Sequence, residues 1–501
     1  MTPLPSKSEF ITAYDKGKKQ VLWTTLIADL ETPVSAYLKL AENDVYSSLL
    51  ESVEGGAIRG RYTFIGIKPD IIWRANGNNP EINRCSLDRI SEDDFVSVNK
   101  STLDSLRDLF LESLIDLPAE IPPSAAGIIG YMGYDFVRLM EKLPEVNEDI
   151  LFTPDSMFMR PTIMVVFDNI TDLITIVTPV RPKSDISADF AYGLGQERLK
   201  DIIVSLSKPL NTLSGASSKN KFTNDLVSNT SKNQFKSMVK RAQDYIAAGD
   251  VFQVVLSQRF SMSFNLPPFS LYRTLRRINP SPFLYYLKFG DFSIVGSSPE
   301  ILVRLRDNEV TIRPIAGTRP RGKSASEDNQ NAQDLLSDPK ELAEHLMLLD
   351  LGRNDVGRVS KVGSVLLTDK MIIELYSHVM HIVSNVRGEI RDDCDALEAL
   401  SSGFPAGTVS GAPKVRAMEI IDELEHEKRG IYAGAVGYFS ADGSMDTCIV
   451  LRTAVVKKGT MHVQAGAGIV ADSDWENEYA ECEAKAKAVV RAAEEAINLA
   501  S

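Results

Sequence analysis

The 501-residue chain is 44% hydrophobic and 25% charged, and it carries a formal net charge of -13. That is the composition of an ordinary globular protein, too long for one small core. The acidic balance excludes a general nucleic-acid binder, which needs a broad basic face, but not a small anionic substrate held by a few local cations.

In chain order, RYTFIGI (61–67) and IIWRA (71–75) read as β-strands, and DSLRDLFLESL (104–114) has helical periodicity. PTIMVVFDN (161–169) and LITIVTPV (173–180) flank a short polar turn and read as a hairpin. The stretch 205–232 is rich in Ser, Asn, Thr and Lys and reads as a mobile loop or linker. It divides an N-terminal domain (1–204) from a C-terminal domain (233–501). There a helix runs from Asn233 to Ala248 and closes on Gly249. Strands are read at 251–262, 283–289, 292–298, 301–305 and 310–317, and helices at 339–350, 413–423 and 475–499. Strands grouped around short turns, with helices between the groups, define an α+β fold with mostly antiparallel sheet. A doubly wound parallel sheet would alternate one strand with one helix.

Cys85, Cys394, Cys448 and Cys482 are scattered and form no CxxC pair, which fits a reducing compartment and argues against a zinc site. The N-terminus has no signal-peptide pattern, and no run of about 18 apolar residues occurs. The expectation is a cytoplasmic protein without a membrane segment.

Three constellations carry possible chemistry. The first is acidic. Asp338 and Pro339 open a helix as cap and first residue, placing Glu341 and Glu344 on one face. Near the C-terminus, behind Asp472 or Asp474 as cap, Glu478, Glu481 and Lys485 share a face. Two such pairs could converge on a hard divalent cation such as Mg²⁺, although the same spacing describes a solvated helix face. The second is glycine-rich turns beside strands: Gly317 and Thr318, followed by Arg319 and Arg321; Thr408 and Gly411; and Gly466, Ala467 and Gly468. They could present N–H groups to a carboxylate or could be plain strand turns; none matches a Walker A or dinucleotide fingerprint. The third is isolated polar groups in apolar runs: Glu300, His381 and Arg452. An Arg in an apolar strand needs an anionic partner, from the protein or from a bound carboxylate.

The strings PIAGTRPRG, ELAEHLMLLDLGRNDVGRVS, SHVMHIVS, GFPAGTVSGAPK and the closing GAGIV…E..E…KA, in this order, resemble the chorismate-utilising enzymes. SSLLESVEGG (47–56) and RGRYTFIG (59–66) resemble the N-terminal domain of the anthranilate synthase component I family within them. The resemblance implies two packed sheets flanked by helices and a Mg²⁺-dependent amination of chorismate at C2. Pyruvate elimination to anthranilate would follow, as the first committed step of tryptophan synthesis. It implies Glu344 and Glu481 as Mg²⁺ ligands, with Glu341 and Glu478 nearby. Gly317, Thr318, Tyr432, Arg452, Gly466, Ala467, Gly468 and Lys485 would hold chorismate. Glu300 would protonate the departing 4-hydroxyl, and His381 and Thr408 would orient the elimination.

Two positions discriminate within the family. Relatives that add water carry a basic Lys where this chain has Gln253, and Gln cannot deprotonate water. Relatives that form aminodeoxychorismate often carry a nucleophilic Lys where this chain has Ala316. The alternatives are aminodeoxychorismate synthase component I, an isochorismate or salicylate synthase, and a non-catalytic sensor. Leu50, Glu51 and Ser52, with Pro282, Phe283 and Leu284, resemble a tryptophan inhibitor site. No glutaminase motif is present, so ammonia is expected from a separate glutamine amidotransferase subunit in a hetero-oligomer, of heterotetramer type.

Overall fold

A computed structural model describes residues 3–54, 58–85, 91–144, 147–210, 226–376 and 379–500. Its strands form one continuous hydrogen-bonded sheet, antiparallel at every strand pair, which bends at two long strands into two layers, called here the first and second sheet. The first sheet begins at Gln20–Ile27 and passes through Leu173–Val180 to Ser156–Asp168 and Ile58–Asn76. It continues through Tyr46–Glu54, Phe283–Phe289, Phe292–Ser298, Thr453–Lys457 and Thr460–Ile469 to Gln253–Ser263. The second sheet takes the other halves of the two long strands and adds Gly127–Met132, Ala435–Ser440, Met445–Ile449, Ile301–Arg306 and Glu309–Ile312. It ends in Val379–Glu389, which pairs with Ile315–Pro320 and Leu366–Leu375.

The long strand Ile58–Asn76 crosses between the sheets because it bends. Lys68 adopts a positive φ of 50°, and the register slips between Pro69 and Ile71, where Pro69 offers no N–H to the ladder. RYTFIGI and IIWRA are therefore one strand with a corner.

The alternation of side chains sorts two cores. Val21, Trp23, Phe64, Met164, Val166, Val177, Tyr285, Leu287 and Ile294 of the first sheet meet Ile72, Ile129, Tyr131, Met157, Val436 and Cys448 between the sheets. The intervening residues Leu22, Ile65, Val165, Ile176, Leu284, Tyr286 and Val295 point outward under helices Lys7–Asp15, Pro33–Ala41, Ala188–Ser207, Pro268–Ile278 and Trp475–Ala500. Helices Thr102–Ser113, Lys232–Ala248, Pro339–Val359, Ala396–Gly403 and Lys414–Leu424 take part in a third core.

Several boundaries differ from the sequence reading. The segment read as one strand at 310–317 is two, Glu309–Ile312 and Ile315–Pro320, separated at Arg313–Pro314. The helix read to 350 runs on to Val359 through Gly352, which sits against Pro314 where a larger residue would be crowded. The linker is narrower than read: a helix reaches Ser207, Val227–Ser228 pairs with Phe260–Ser261, and Ser231 caps the helix that starts at Lys232. Its centre, 211–225, lies outside the described residues, as do Gly55 and Gly56 of SSLLESVEGG and Ser377 and His378 of SHVMHIVS. Strands from both sides of the linker pair directly, Tyr46–Glu54 with Phe283–Phe289 and Gly127–Met132 with Ala435–Ser440.

Candidate active site

The end of strand Gln253–Ser263 lies against the glycines of Thr460–Ile469. A Cβ on Gly468 would stand 2.3 Å from Gln253 Nε2, so only glycine leaves that amide its place. Gln253 Nε2 donates to Glu344 Oε1 at 3.3 Å, while its Oε1 is buried without a donor among the described residues. Gly466 likewise gives room to the Tyr432 hydroxyl, 2.9 Å from where its Cβ would be. Lys485, on the C-terminal helix, donates to Gly466 O at 2.9 Å and pairs with Glu481 at 2.7 Å.

The two acidic helices begin as read. Asp338 accepts from Lys340 N at 3.0 Å and Glu341 N at 3.4 Å, and Asp474 from Glu476 N at 3.0 Å and Asn477 N at 3.1 Å. Burial raises the Glu344 carboxyl above its ordinary range, and repulsion from Glu341 and Glu481 adds to the shift. A desolvated carboxylate repelled by its neighbours suits a hard divalent cation, whose charge reverses both effects. Among the described residues, no three metal-binding side chains already stand close enough to enclose an ion. Glu341 is held instead by Arg319 at 3.2 Å, and Arg319 also pairs with Asp334 at 2.7 Å and Asp338 at 2.8 Å.

On the neighbouring strands, Thr318 and His381 face each other across the ladder, and the register slips at Gly317, which has φ +70°. His381 Nδ1 lies 2.9 Å from Gly317 O and 3.1 Å from Thr318 Oγ1. A carbonyl can only accept, so Nδ1 carries the proton and Nε2 keeps its lone pair. Burial lowers the His381 pKa and the nearby Arg452 charge lowers it further, against the Gly317 hydrogen bond.

Glu300 follows strand Phe292–Ser298 and is buried. Burial pushes its pKa up to about 8, with Thr408 and Lys485 opposing, so the carboxyl is protonated at neutral pH. Thr408 Oγ1 donates to its Oε1 at 3.1 Å. Both residues line a small cavity with Pro314, Leu348, Asp355 and Gly407.

Arg452 departs from its sequence reading. The apolar run is broken, with one strand ending at Ile449 and the next starting at Thr453, and Arg452 sits in the break with φ 47°. Its guanidinium is desolvated, and among the described residues no carboxylate pairs with it. A desolvated, unpaired guanidinium at a strand break is the expected holder of a ligand carboxylate.

These groups share one electrostatic neighbourhood. Lys485 acts on Glu300 and Glu344, Glu300 on Tyr376, and Arg452 on His381. Tyr376 was not singled out in the sequence. Its ring stands 5.3 Å from His381 at 68°, and its hydroxyl donates to Glu374 at 3.2 Å. Its place just before the strand that carries His381 was the available signal.

The inhibitor-like strings also meet. Leu284 pairs with Glu51 and Phe283 with Ser52 across adjacent strands. Glu51 is buried and accepts from Arg276 Nε at 2.8 Å and NH2 at 2.6 Å, and from the Tyr272 hydroxyl. Strand Phe283–Phe289 pairs in turn with Phe292–Ser298, which leads to Glu300.

A buried acid, a pair of acidic helices, a glycine-lined strand end and a guanidinium without a carboxylate partner among the described residues share this neighbourhood, a set of groups suited to a small carboxylate. The chain belongs to the chorismate binding enzyme family, whose pattern matches residues 68–491. It is 54% identical to anthranilate synthase component 1 of Cereibacter sphaeroides over 98% of each chain. It is 46% identical to the protein of the same name from Pseudomonas putida over 97% of this chain and 98% of that one. The crystal structure of anthranilate synthase component I from Streptococcus pneumoniae superposes with a TM-score of 0.74 at 37% identity, covering 93% of this chain and 99% of that one. The menaquinone-specific isochorismate synthase of Escherichia coli shares the fold, with a TM-score of 0.68 at 18% identity.

Proposed function

We propose that this chain is the synthase component that converts chorismate to anthranilate. Ammonia adds at C2 and the 4-hydroxyl leaves as water, giving 2-amino-2-deoxyisochorismate. Loss of the C2 proton and cleavage of the ether bond between ring and side chain then give anthranilate and pyruvate. The observation that carries the reading is Glu300: a buried carboxyl, protonated at neutral pH and oriented by Thr408, is the acid that a departing hydroxide requires. Gln253 and Ala316 support amination at C2 over the alternatives. The buried Oε1 of Gln253 can accept a hydrogen bond from ammonia but cannot deprotonate water, and Ala316 offers no nucleophile.

Glu344 and Glu481 would hold Mg²⁺, with Glu341 and Glu478 beside them. When bound, the ion would neutralise the ring carboxylate next to the attacked carbon. Arg452, Tyr432, Gly317, Thr318, Lys485 and the Gly466–Gly468 backbone would fix chorismate, and His381 Nε2 would take the C2 proton. The ammonia would come from a glutamine amidotransferase subunit in a cytoplasmic hetero-oligomer. Tryptophan would bind at Leu50, Glu51, Ser52, Pro282, Phe283 and Leu284 and act through the strand that leads to Glu300. Residues 1–204 would supply the first half of that site, and 233–501 the catalytic domain. No helix among the described residues is long and apolar enough to cross a membrane.

The test is the purified protein with chorismate, Mg²⁺ and an ammonium salt. Fluorescent anthranilate is expected; 4-amino-4-deoxychorismate or salicylate in its place overturns the reading.

A further inference from the structure

A second charged cluster lies outside this site, where the first strand of the chain, its hairpin neighbours and helix Thr102–Ser113 meet. Five cations gather there around two acids. Arg160 binds Asp70 through Nε at 2.7 Å and NH2 at 2.9 Å, and Glu112 through NH1 at 3.0 Å. Arg84 takes Glu112 with both terminal nitrogens, at 2.9 and 2.7 Å. Both acids are thus engaged by Arg160 and Arg84. Among the described residues, the other three cations find only carbonyl oxygens or nothing. Lys19 donates to Glu112 O at 2.8 Å and Arg181 NH2 to Ser113 O at 3.3 Å, at the C-terminal end of the helix, where cations are favoured. Arg198 has no hydrogen bond or ion pair among the described residues, and Arg181 Nε is buried with no acceptor.

The helix end offsets about half a charge, far less than the surplus of three. The surplus is costly. Burial and repulsion from Arg160 bring Arg181 down to about 10 against the attraction of Asp70 and Glu112, and burial and the Arg181 charge lower Lys19 against that of Glu112. Burial lowers Arg198, against the attraction of Asp70. Three cations without carboxylate partners, one of them with an orphaned buried N–H, are out of character in a protein of net charge -13. A polyvalent anion would supply acceptors and relieve the repulsion together.

We infer that Lys19, Arg181 and Arg198, backed by Arg84 and Arg160, bind a small polyvalent oxyanion of the phosphate or phosphate-ester class. The test uses the full-length protein and inorganic phosphate as probe, with sodium chloride at matched ionic strength as reference. Isothermal titration should show phosphate binding to the parent protein, and R181Q/R198Q should weaken it by about tenfold or more. Arg198→Lys, which keeps the charge, should retain most of the affinity. Anthranilate formation without phosphate should be unchanged in R181Q/R198Q, which shows that the variant is folded. Equal phosphate binding by parent and double variant overturns the inference, as does the absence of binding to the parent above the chloride reference.

Discussion

Replacing Glu300 by Gln separates the chemistry of the site from its cost. Gln keeps the shape and an Oε1 that Thr408 can reach, but it cannot deliver a proton. Loss of a general acid costs roughly 10²- to 10⁴-fold in rate, so E300Q should form anthranilate that much more slowly while chorismate still binds. The same substitution should change stability in a pH-dependent way. In the folded protein the carboxyl is raised from 4.5 to about 8 by burial. The folded state therefore holds the proton more tightly than the unfolded state. The stability it contributes is fully present below about 4.5 and is lost as pH rises through about 8. Across that window the unfolded state releases the proton that the folded state must keep, which costs the fold on the order of 5 kcal/mol, and Gln carries no such cost. Denaturant titrations of both proteins between about pH 5 and pH 9 should show E300Q gaining steadily on the parent. Parallel stability curves would refute the argument that burial holds this carboxyl protonated. The parent rate should also fall above about pH 8 as the acid ionises.

Other expectations follow from the same geometry. His381→Asn should leave chorismate consumption largely intact but slow anthranilate release by roughly 10²-fold, with the aminated intermediate visible by chromatography. Equal slowing of both steps would remove His381 from the elimination. Because burial and Arg452 lower the His381 pKa, the imidazole stays neutral at pH 7, and the acid limb of the rate profile should lie below the ordinary histidine range. Glu481→Gln should raise the Mg²⁺ concentration for half-maximal rate by roughly tenfold, and a chelator should abolish turnover in the parent; an unchanged Mg²⁺ requirement would sink the ligand assignment. Arg276→Met leaves the buried Glu51 carboxylate without its cation, with the Tyr272 hydroxyl still donating, and should cost about 3 kcal/mol of stability, read from the denaturant midpoint, together with any response to tryptophan. A midpoint shift within error would show that Glu51 is satisfied without Arg276.

By itself, the sequence determined the classes of element and the chemistry within reach. The runs 161–169 and 173–180 flank a short polar turn and read as a hairpin, because a turn is set by a few adjacent residues. Asp338 and Pro339 marked a helix start, because capping is local hydrogen bonding. The ordered motifs carried the family, since they record a whole site in linear form. What the sequence could not supply was distance. Lys68 turns two apparent strands into one that crosses between sheets, and only pairing with Ser156–Asp168 reveals it. Arg452 reads as a strand residue but sits at a strand break, with a positive φ of 47°. Tertiary structure alone decided that Glu344 feels Glu481 from a helix more than a hundred residues further along. It also decided that Arg319 takes Glu341 and that Lys19, Arg181 and Arg198 gather without carboxylate partners. Periodicity and capping act over a few residues and leave a trace in the string. Burial and like-charge repulsion act through space, and they exist only once the sheets have closed around them.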